Sequence, residues 1–250
     1  MKLKILGSNG WYASATGNTS CILIETKDFY LVLDAGDGLA KLDREIKLEK
    51  PIYLFLSHFH LDHIYGLHIL NKFRFSQSMT IFGQPGTKKI LKKIIASPFT
   101  APFSVLKTKV VIKDLKEGLN RPPLVPFLVE ARYLVHADPC LGFRFNLDSK
   151  IITYCTDTGV CQELLQLARQ ADILITECSI KPGQSSPHWP HLNPEDAAII
   201  AKRAKASKLL LVHFAAHIYQ TLEERRVAEK VARKIFPETF AAFDDWEMEI

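Results

Sequence analysis

No stretch of this 250-residue chain approaches the roughly 18 to 20 uninterrupted apolar residues that a membrane-spanning helix needs. The opening Met1-Lys2-Leu3-Lys4-Ile5-Leu6-Gly7 turns polar too soon for a secretory signal, so a cytoplasmic protein is expected. CxxC pairs are missing too. The five cysteines, Cys21, Cys140, Cys155, Cys161 and Cys178, are odd in number and dispersed. That pattern excludes a disulfide framework and a cysteine zinc site, and it predicts reduced, mostly buried thiols. Strong charge of either sign is lacking: 32 Lys and Arg against 27 Asp and Glu leave +5. This is less than a dedicated DNA-binding domain carries, yet compatible with an anionic substrate. Low-complexity runs and short repeats are absent, and the Pro-rich stretches Ser97 to Phe103 and Asn120 to Pro126 are too short to link domains. What remains is a globular composition, 47% hydrophobic and 24% charged, with apolar chain enough for a core. One domain spanning residues 1–250 is the expectation.

Short apolar, β-branched runs predict strands at Lys2 to Leu6, Cys21 to Glu25, Phe29 to Leu33, Ile52 to Leu56, Met79 to Phe82 and Val110 to Ile112. Further strands are expected at Phe127 to Leu134, Gly142 to Phe145, Ile151 to Cys155, Ile173 to Thr176 and Leu209 to Val212. Three- and four-residue spacing predicts helices over Thr87 to Ala96, Cys161 to Ala171, Pro194 to Ala206 and Thr221 to Phe236, with cap signals at Asn193-Pro194 and Thr221. Helices interspersed with strands in both halves point to an α/β layered fold, helices covering the outer faces of sheets.

The strongest chemical signal follows the apolar run Ile52 to Leu56. There, His58, His60, Asp62 and His63 crowd a single turn, before an expected helix from Ile64 to Phe73. In a chain with nine histidines, HxHxDH arises by chance roughly six times in ten thousand. His58 and His60, two apart in extended backbone, point to one side, and Asp62 and His63 follow in the turn. One metal cannot comfortably use all four. The alternation suits two adjacent ions, His58 and His60 on one and Asp62 and His63 on the other, each needing ligands from elsewhere. His136, Asp157 and His213 each follow a predicted strand. Any one of them alone would be an ordinary cap, packed imidazole or turn residue.

Their joint order resembles the metallo-β-lactamase superfamily, whose series is an Asp after an early strand, then HxHxDH, then His, Asp and His at strand ends. The match covers nearly the whole chain and includes Asp34, in the run Leu31 to Gly38, as the first motif. The resemblance implies a four-layer αββα sandwich. It also implies one metal on His58, His60 and His136, a second on Asp62, His63 and His213, Asp157 bridging both, and Asp34 orienting ligands without being one. Water shared by two divalent cations has its pKa lowered from 15.7 toward ~7, which is hydrolytic machinery, with Asp62 accepting a hydrogen bond from the nucleophile and aiming it. The ligand set suits zinc, with manganese or iron as alternatives.

His191 lies 22 residues before His213, ahead of a helix and a strand. That placement looks like the phosphodiesterase branch containing ribonuclease Z and cyclic phosphodiesterases, where such a His sits beside the phosphate and protonates the leaving oxygen. Glu177, at the end of the strand Ile173 to Thr176, matches the acid that holds it. There are departures. The ribonuclease reads His-Glu-Ala-Thr where this chain has Thr176, Glu177, Cys178 and Ser179. Only 20 residues separate His136 from Asp157, where ribonuclease Z inserts a Gly/Pro-rich arm that grips tRNA. Cys178-Ser179 followed by His191 is similar to the phosphonate-pathway cyclic phosphodiesterase, whose N-terminal cysteine cluster is missing here. The expected reaction is therefore hydrolysis of a small or cyclic nucleotide-type or ribosyl phosphodiester. The alternatives are a ribonuclease Z-like endoribonuclease, or a thioester or lactone hydrolase of the same fold. A small phosphodiester is the expected partner, with RNA as the alternative and no membrane; the sequence allows a homodimer without fixing the oligomeric state.

His188 and His217 are read as exposed loop or helix histidines that could touch substrate, and His68 falls on the helix after the motif. Gly7 to Gly10 and Asn18 to Ser20 form a loop that in the family flanks the pocket, without the GxGxxG spacing of a nucleotide fingerprint. Finally, Lys88 to Lys116 holds eight lysines against one acid, Asp114. It reads as a solvated helix face followed by a lysine-rich loop and strand, or as an attractor of polyanions.

Overall fold

The computed structural model describes residues 1–122, 125–186 and 188–250, so residues 123 and 124 of the Pro-rich stretch Asn120 to Pro126 lie outside the described residues. Two seven-stranded sheets carry the architecture. The first runs, edge to edge, Glu247–Glu249, Lys2–Gly7, Cys21–Glu25, Tyr30–Leu33, Ile52–Phe55, Met79–Gly83 and Val110–Asp114. The second runs Thr239–Ala241, Leu209–Val212, Ile173–Glu177, Lys150–Cys155, Cys140–Leu147, Leu128–Leu134 and Gly118–Asn120. Each sheet is antiparallel in one half and parallel in the other: Tyr30–Leu33 through Val110–Asp114 in the first, Lys150–Cys155 through Thr239–Ala241 in the second.

Strands such as Tyr30–Leu33, Ile52–Phe55 and Leu209–Val212 are buried at every position. They read as continuous apolar runs because both their faces are covered. Inner faces meet in one core, where Leu3, Ile24, Leu33 and Phe55 oppose Val129, Phe143, Ile152, Ile175 and Leu210. Phe55 anchors it, stacking on Phe82 at 4.7 Å and meeting Phe145 edge-on at 4.9 Å. Each such side chain stabilises the fold by about 1.5–3 kcal/mol through burial. The outer face of the first sheet packs Val32, Leu54 and Ile81 against Leu39, Leu42, Leu67 and Leu91. On the second sheet, Cys155, Leu174 and Leu211 meet Leu164, Leu167, Ala197, Ala201 and Ala228 of three helices. The result is the four-layer αββα sandwich.

Helix ends follow the sequence signals. Asn193 caps Pro194–Ala204 by accepting from the Asp196 N–H at 2.7 Å, and Thr221 with Glu224 forms a capping box on Leu222–Arg233. Cys161 caps Gln162–Ala168 through its sulfur. One expectation fails. The segment expected as a helix from Ile64 to Phe73 is a single α-turn, Leu61–Ile64, followed by the 3-10 stretch Tyr65–Lys72. Its backbone is diverted: the Ala35 N–H donates to the His63 carbonyl, and the Gly66 N–H donates to the Ala35 carbonyl, instead of closing α-helical turns. All five cysteines are free, four of them buried. Among the described residues no helix is long and apolar enough to cross a membrane.

Candidate metal centre

Parallel strands deliver their C-terminal ends to one edge of a sheet, and open α/β sheets bind ligands at that edge. Asp34 follows Tyr30–Leu33, and His58, His60, Asp62 and His63 follow Ile52–Phe55. Asp157 follows Lys150–Cys155, Glu177 ends Ile173–Glu177, and His213 follows Leu209–Val212. His136 joins from Leu128–Leu134, which two antiparallel steps align with Lys150–Cys155. Asp34, Asp157 and His213 leave their strands in the left-handed region, at φ of 58°, 48° and 52°, which turns each side chain back over the edge. The loop from Gly7 closes over the site. At Gly10 a Cβ would sit 2.5 Å from the His213 ring, and at Gly36 one would sit 2.3 Å from the Asp62 carbonyl, so both positions demand glycine.

Two donor clusters share Asp157. One donor atom from each of His58, His60, His136 and Asp157 lies within 4.8 Å of the others, and the same holds for Asp62, His63, His213 and Asp157. In the first, His60 Nδ1 is 3.3 Å from His136 Nε2, and His58 Nε2 is 3.1 Å from Asp157 Oδ2. In the second, His63 Nε2 lies 2.9 Å from Asp157 Oδ2 and 3.1 Å from His213 Nε2, which is 3.2 Å from Asp62 Oδ2.

A buried hydrogen-bond chain fixes where the imidazole protons sit. Asp34 Oδ2 accepts from His63 Nδ1 at 2.7 Å, from the Tyr154 hydroxyl at 2.6 Å and from the Ser57 hydroxyl at 2.8 Å, while Oδ1 accepts from the Ser57 N–H. With its proton on Asp34, Ser57 Oγ can only accept from His58 Nδ1, 3.0 Å away. Ser179 repeats the device, donating to the His213 carbonyl and accepting from His213 Nδ1. The Nε2 lone pairs of His58, His63 and His213 are therefore left facing one another and the carboxylates of Asp157 and Asp62. His58 Nε2, 3.1 Å from Asp157 Oδ2, and Asp157 Oδ1, 2.9 Å from His213 Nδ1, are buried in close approaches that lack hydrogen-bond geometry. Lone pairs opposed at about 3 Å repel unless a cation lies between them, so the donor set fits divalent metal ions. Protons are the competing occupants. Burial alone would lower the His213 pKa, yet Asp157 and Asp62 push it up to about 10. Burial likewise works against ionised Asp62 and Asp157, but His63 and His213 hold both carboxyls well below the ordinary range.

Beside the clusters, Glu177 is fully buried and places both carboxylate oxygens 2.9 Å from His191 Nδ1. It also accepts from the N–H groups of Thr158 and Leu192. Burial alone would lower the His191 pKa; Glu177 outweighs it and raises it. A cavity of about 750 Å³ opens over the site, lined by His60, Asp62, His136, Asp157, His191 and His213 on its floor and by Trp11, Trp189 and His217 on its walls. His188 is exposed and does not line the cavity, and His68 sits on the 3-10 stretch with Nδ1 2.6 Å from the Tyr65 carbonyl.

Several contributors escaped the sequence reading. The Trp11 N–H donates to Asp62 Oδ2 at 2.8 Å, and Asp138 accepts from His60 Nε2 at 2.9 Å. Tyr154 reaches Asp34 across 120 residues. Only Asp138, two residues after His136, carried a local cue.

Known proteins place the chain in a family. The profile of the beta-lactamase superfamily domain matches residues 30–214. Ribonuclease Z of Bacillus licheniformis is 27% identical over 311 aligned positions, covering 100% of this chain and 99% of the relative. Set against the 250 residues here, that alignment leaves 61 positions without a residue of this chain. The probable metallo-hydrolase YhfI of Bacillus subtilis is 28% identical over 215 positions, 85% of this chain and 86% of YhfI. The YhfI crystal structure superposes with a TM-score of 0.83 at 24% identity, covering 100% of this chain and 98% of that one, a likeness of fold.

Proposed function

This chain belongs to the beta-lactamase superfamily, and from that premise we propose that it is a dinuclear metal-dependent phosphodiesterase. Its substrate in this reading is a small or cyclic nucleotide-type or ribosyl phosphodiester. One cation is held by His58, His60 and His136, the other by Asp62, His63 and His213, with Asp157 common to both. Zinc suits the imidazole and carboxylate donors best, and manganese or iron would also be accepted. When bound, the cations supply Lewis acidity toward a phosphoryl oxygen and water acidic enough to attack at neutral pH.

The observation that carries the reading is the pairing of His191 with Glu177 at the cavity floor. Glu177 holds the proton on Nδ1 and favours the charged ring, so Nε2 presents a second proton to the cavity. A proton delivered from Nε2 to the departing alkoxide oxygen is what breaking a phosphodiester needs. Asp62, fixed by the Trp11 N–H, is the acceptor that aims the attacking water. A thioester releases a thiolate that needs less acid help, so this pair favours the phosphodiester.

Purified protein is expected to contain about two metal ions per chain and to hydrolyse bis(p-nitrophenyl) phosphate. His191→Ala should lose about 10²–10⁴-fold on a ribosyl diester and much less where the leaving group is p-nitrophenolate, which departs unprotonated. Turnover of S-lactoylglutathione with no diester activity would sink the proposal.

A second reading, an RNA substrate, draws on one observation. Lys88, Lys89, Lys92 and Lys93 on the helix Thr87–Ile94, and Lys107, Lys109, Lys113 and Lys116 around the edge strand Val110–Asp114, are all exposed, and none forms an ion pair among the described residues. The helix starts next to the site: Gln84 donates to the Pro139 carbonyl, one residue beyond Asp138. The neighbouring ribonuclease Z relative supports it, and the 61 unmatched positions count against it. Oligonucleotide cleavage falling steeply between 50 and 200 mM salt, about 10³-fold or more, would favour RNA; flat salt dependence would remove it.

A further inference from the structure

Both cavity-lining tryptophans are far more exposed than large aromatic residues usually are, Trp11 at 64% and Trp189 at 49%. They differ in their ring contacts. Trp189 lies nearly parallel to His60, with centroids 6.1 Å apart at 19°, so one of its faces is turned to an imidazole of the first donor cluster. The ring contacts of Trp11 are T-shaped rather than stacked: Tyr12 at 5.3 Å and 65°, His217 at 4.8 Å and 90°. These neighbours flank the indole, which still keeps 64% of its surface exposed.

The backbone of Trp11 is fixed as well. It turns at φ 72°, donates its N–H to Asp62, and follows Gly10, which packs on the His213 ring. The residue is therefore anchored beside the second donor cluster, with a largely exposed indole lining the cavity.

We propose that Trp11 is a stacking platform for the nucleobase of the substrate, making the natural substrate a nucleotide phosphodiester that retains its base. The proposal rests on the phosphodiesterase reading above and narrows it, setting aside a base-free ribosyl phosphate. The phosphate occupies the donor clusters, the base lies on the indole, and Tyr12 and His217 keep the ring from tipping. A cavity of about 750 Å³ has room for one nucleotide. Trp11 is a specificity-determining residue here: it touches substrate remote from the reacting bond.

Metal-loaded protein would be assayed with adenosine 2′,3′-cyclic phosphate and with the base-free methyl riboside 2,3-cyclic phosphate. Preference for the adenosine substrate, read as the ratio of kcat/KM values, should fall roughly 5- to 150-fold in Trp11→Ala, the range of base–aromatic stacking. The loss should appear in KM, and Trp11→Phe should recover most of it. Alanine keeps the Cβ at the same φ, so the turn itself is unaltered. Equal losses on both substrates, or an unchanged ratio, would overturn the proposal.

Tryptophan fluorescence separates this outcome from failure of the reaction assignment, because it requires no turnover. Adenosine 5′-monophosphate should quench more strongly and bind more tightly than ribose 5-phosphate, and the difference should vanish in Trp11→Ala but persist in Trp189→Ala. Base-dependent quenching without hydrolysis of either diester would overturn the phosphodiesterase and keep the platform. Hydrolysis with equal affinity for the two monophosphates would do the reverse.

Discussion

The two donor clusters are built from similar ligands yet supported in opposite ways. In the Asp62–His63–His213 cluster every support is buried or part of the backbone. His63 rests on Asp34, both at 0% side-chain exposure, and Asp62 on the Trp11 N–H. His213 rests on Ser179 and against Gly10. In the His58–His60–His136 cluster only His58 has such support. His60 leans on Asp138, which is 65% exposed, and His136 Nδ1 has no hydrogen-bond partner. A charge-assisted hydrogen bond in a dry site is strong, while the same bond at the surface competes with water. The buried cluster is thus rigid before any cation arrives. The open one must be ordered by what binds there, and it adjoins Trp189 on the side of the cavity facing solvent.

The comparison breaks most completely at the residue both clusters share. Asp157→Ala should remove a donor from each, reducing bound metal from about two to below one per chain by metal analysis, with activity at background. Retention of two metals would mean the clusters do not depend on a common carboxylate.

The next test sets one support against the other. Asp34→Asn keeps the side-chain volume and tolerates the left-handed turn, but it loses the carboxylate that fixes His63 and Ser57. Metal affinity by competition with a chelator should fall about 10–100-fold. Asp138→Asn should cost only a few-fold, because water replaces an exposed carboxylate. Equal losses would erase the proposed asymmetry.

The smallest expected effect is in pH dependence. Glu177 raises the His191 pKa against the lowering effect of burial. A raised pKa keeps the ring protonated to higher pH, so acid catalysis is present below it and fades as pH rises through it. Glu177→Gln should move the alkaline limb of the kcat profile to lower pH. An unmoved limb would detach Glu177 from the proton on His191.

The turn after Ile52–Phe55 was legible because four candidate metal donors, His58, His60, Asp62 and His63, fall within six residues of one another behind an apolar run, and because the other candidates fall at strand ends. Supports drawn from distant chain were not. Tyr154 sits between Thr153 and Cys155 in the buried half of its strand, and nothing local distinguishes the hydroxyl that reaches Asp34 from an ordinary core tyrosine. Trp11 acts on Asp62 through its backbone N–H, which leaves no trace in residue type. Helix placement failed after the motif for a related reason: Ala35, whose N–H and carbonyl bond to His63 and Gly66 and divert the segment, belongs to a loop about 30 residues earlier. The edge strand Glu247–Glu249 was missed because its polar alternation, Glu-Met-Glu, offers one apolar residue, Met248, to the core.

The left-handed turns at Asp34, Asp157 and His213 carry a consequence for how this protein responds to selection. Each non-glycine residue in that region costs about 1 kcal/mol or more. Glycine relieves that strain and so does asparagine in part. A screen for thermal tolerance alone would therefore enrich glycine or asparagine at Asp157 and His213 while extinguishing turnover, and would keep Asp34, whose buried carboxylate holds Ser57, His63 and Tyr154. Positions where stability and activity pull apart would mark the edge of the site without any substrate in hand.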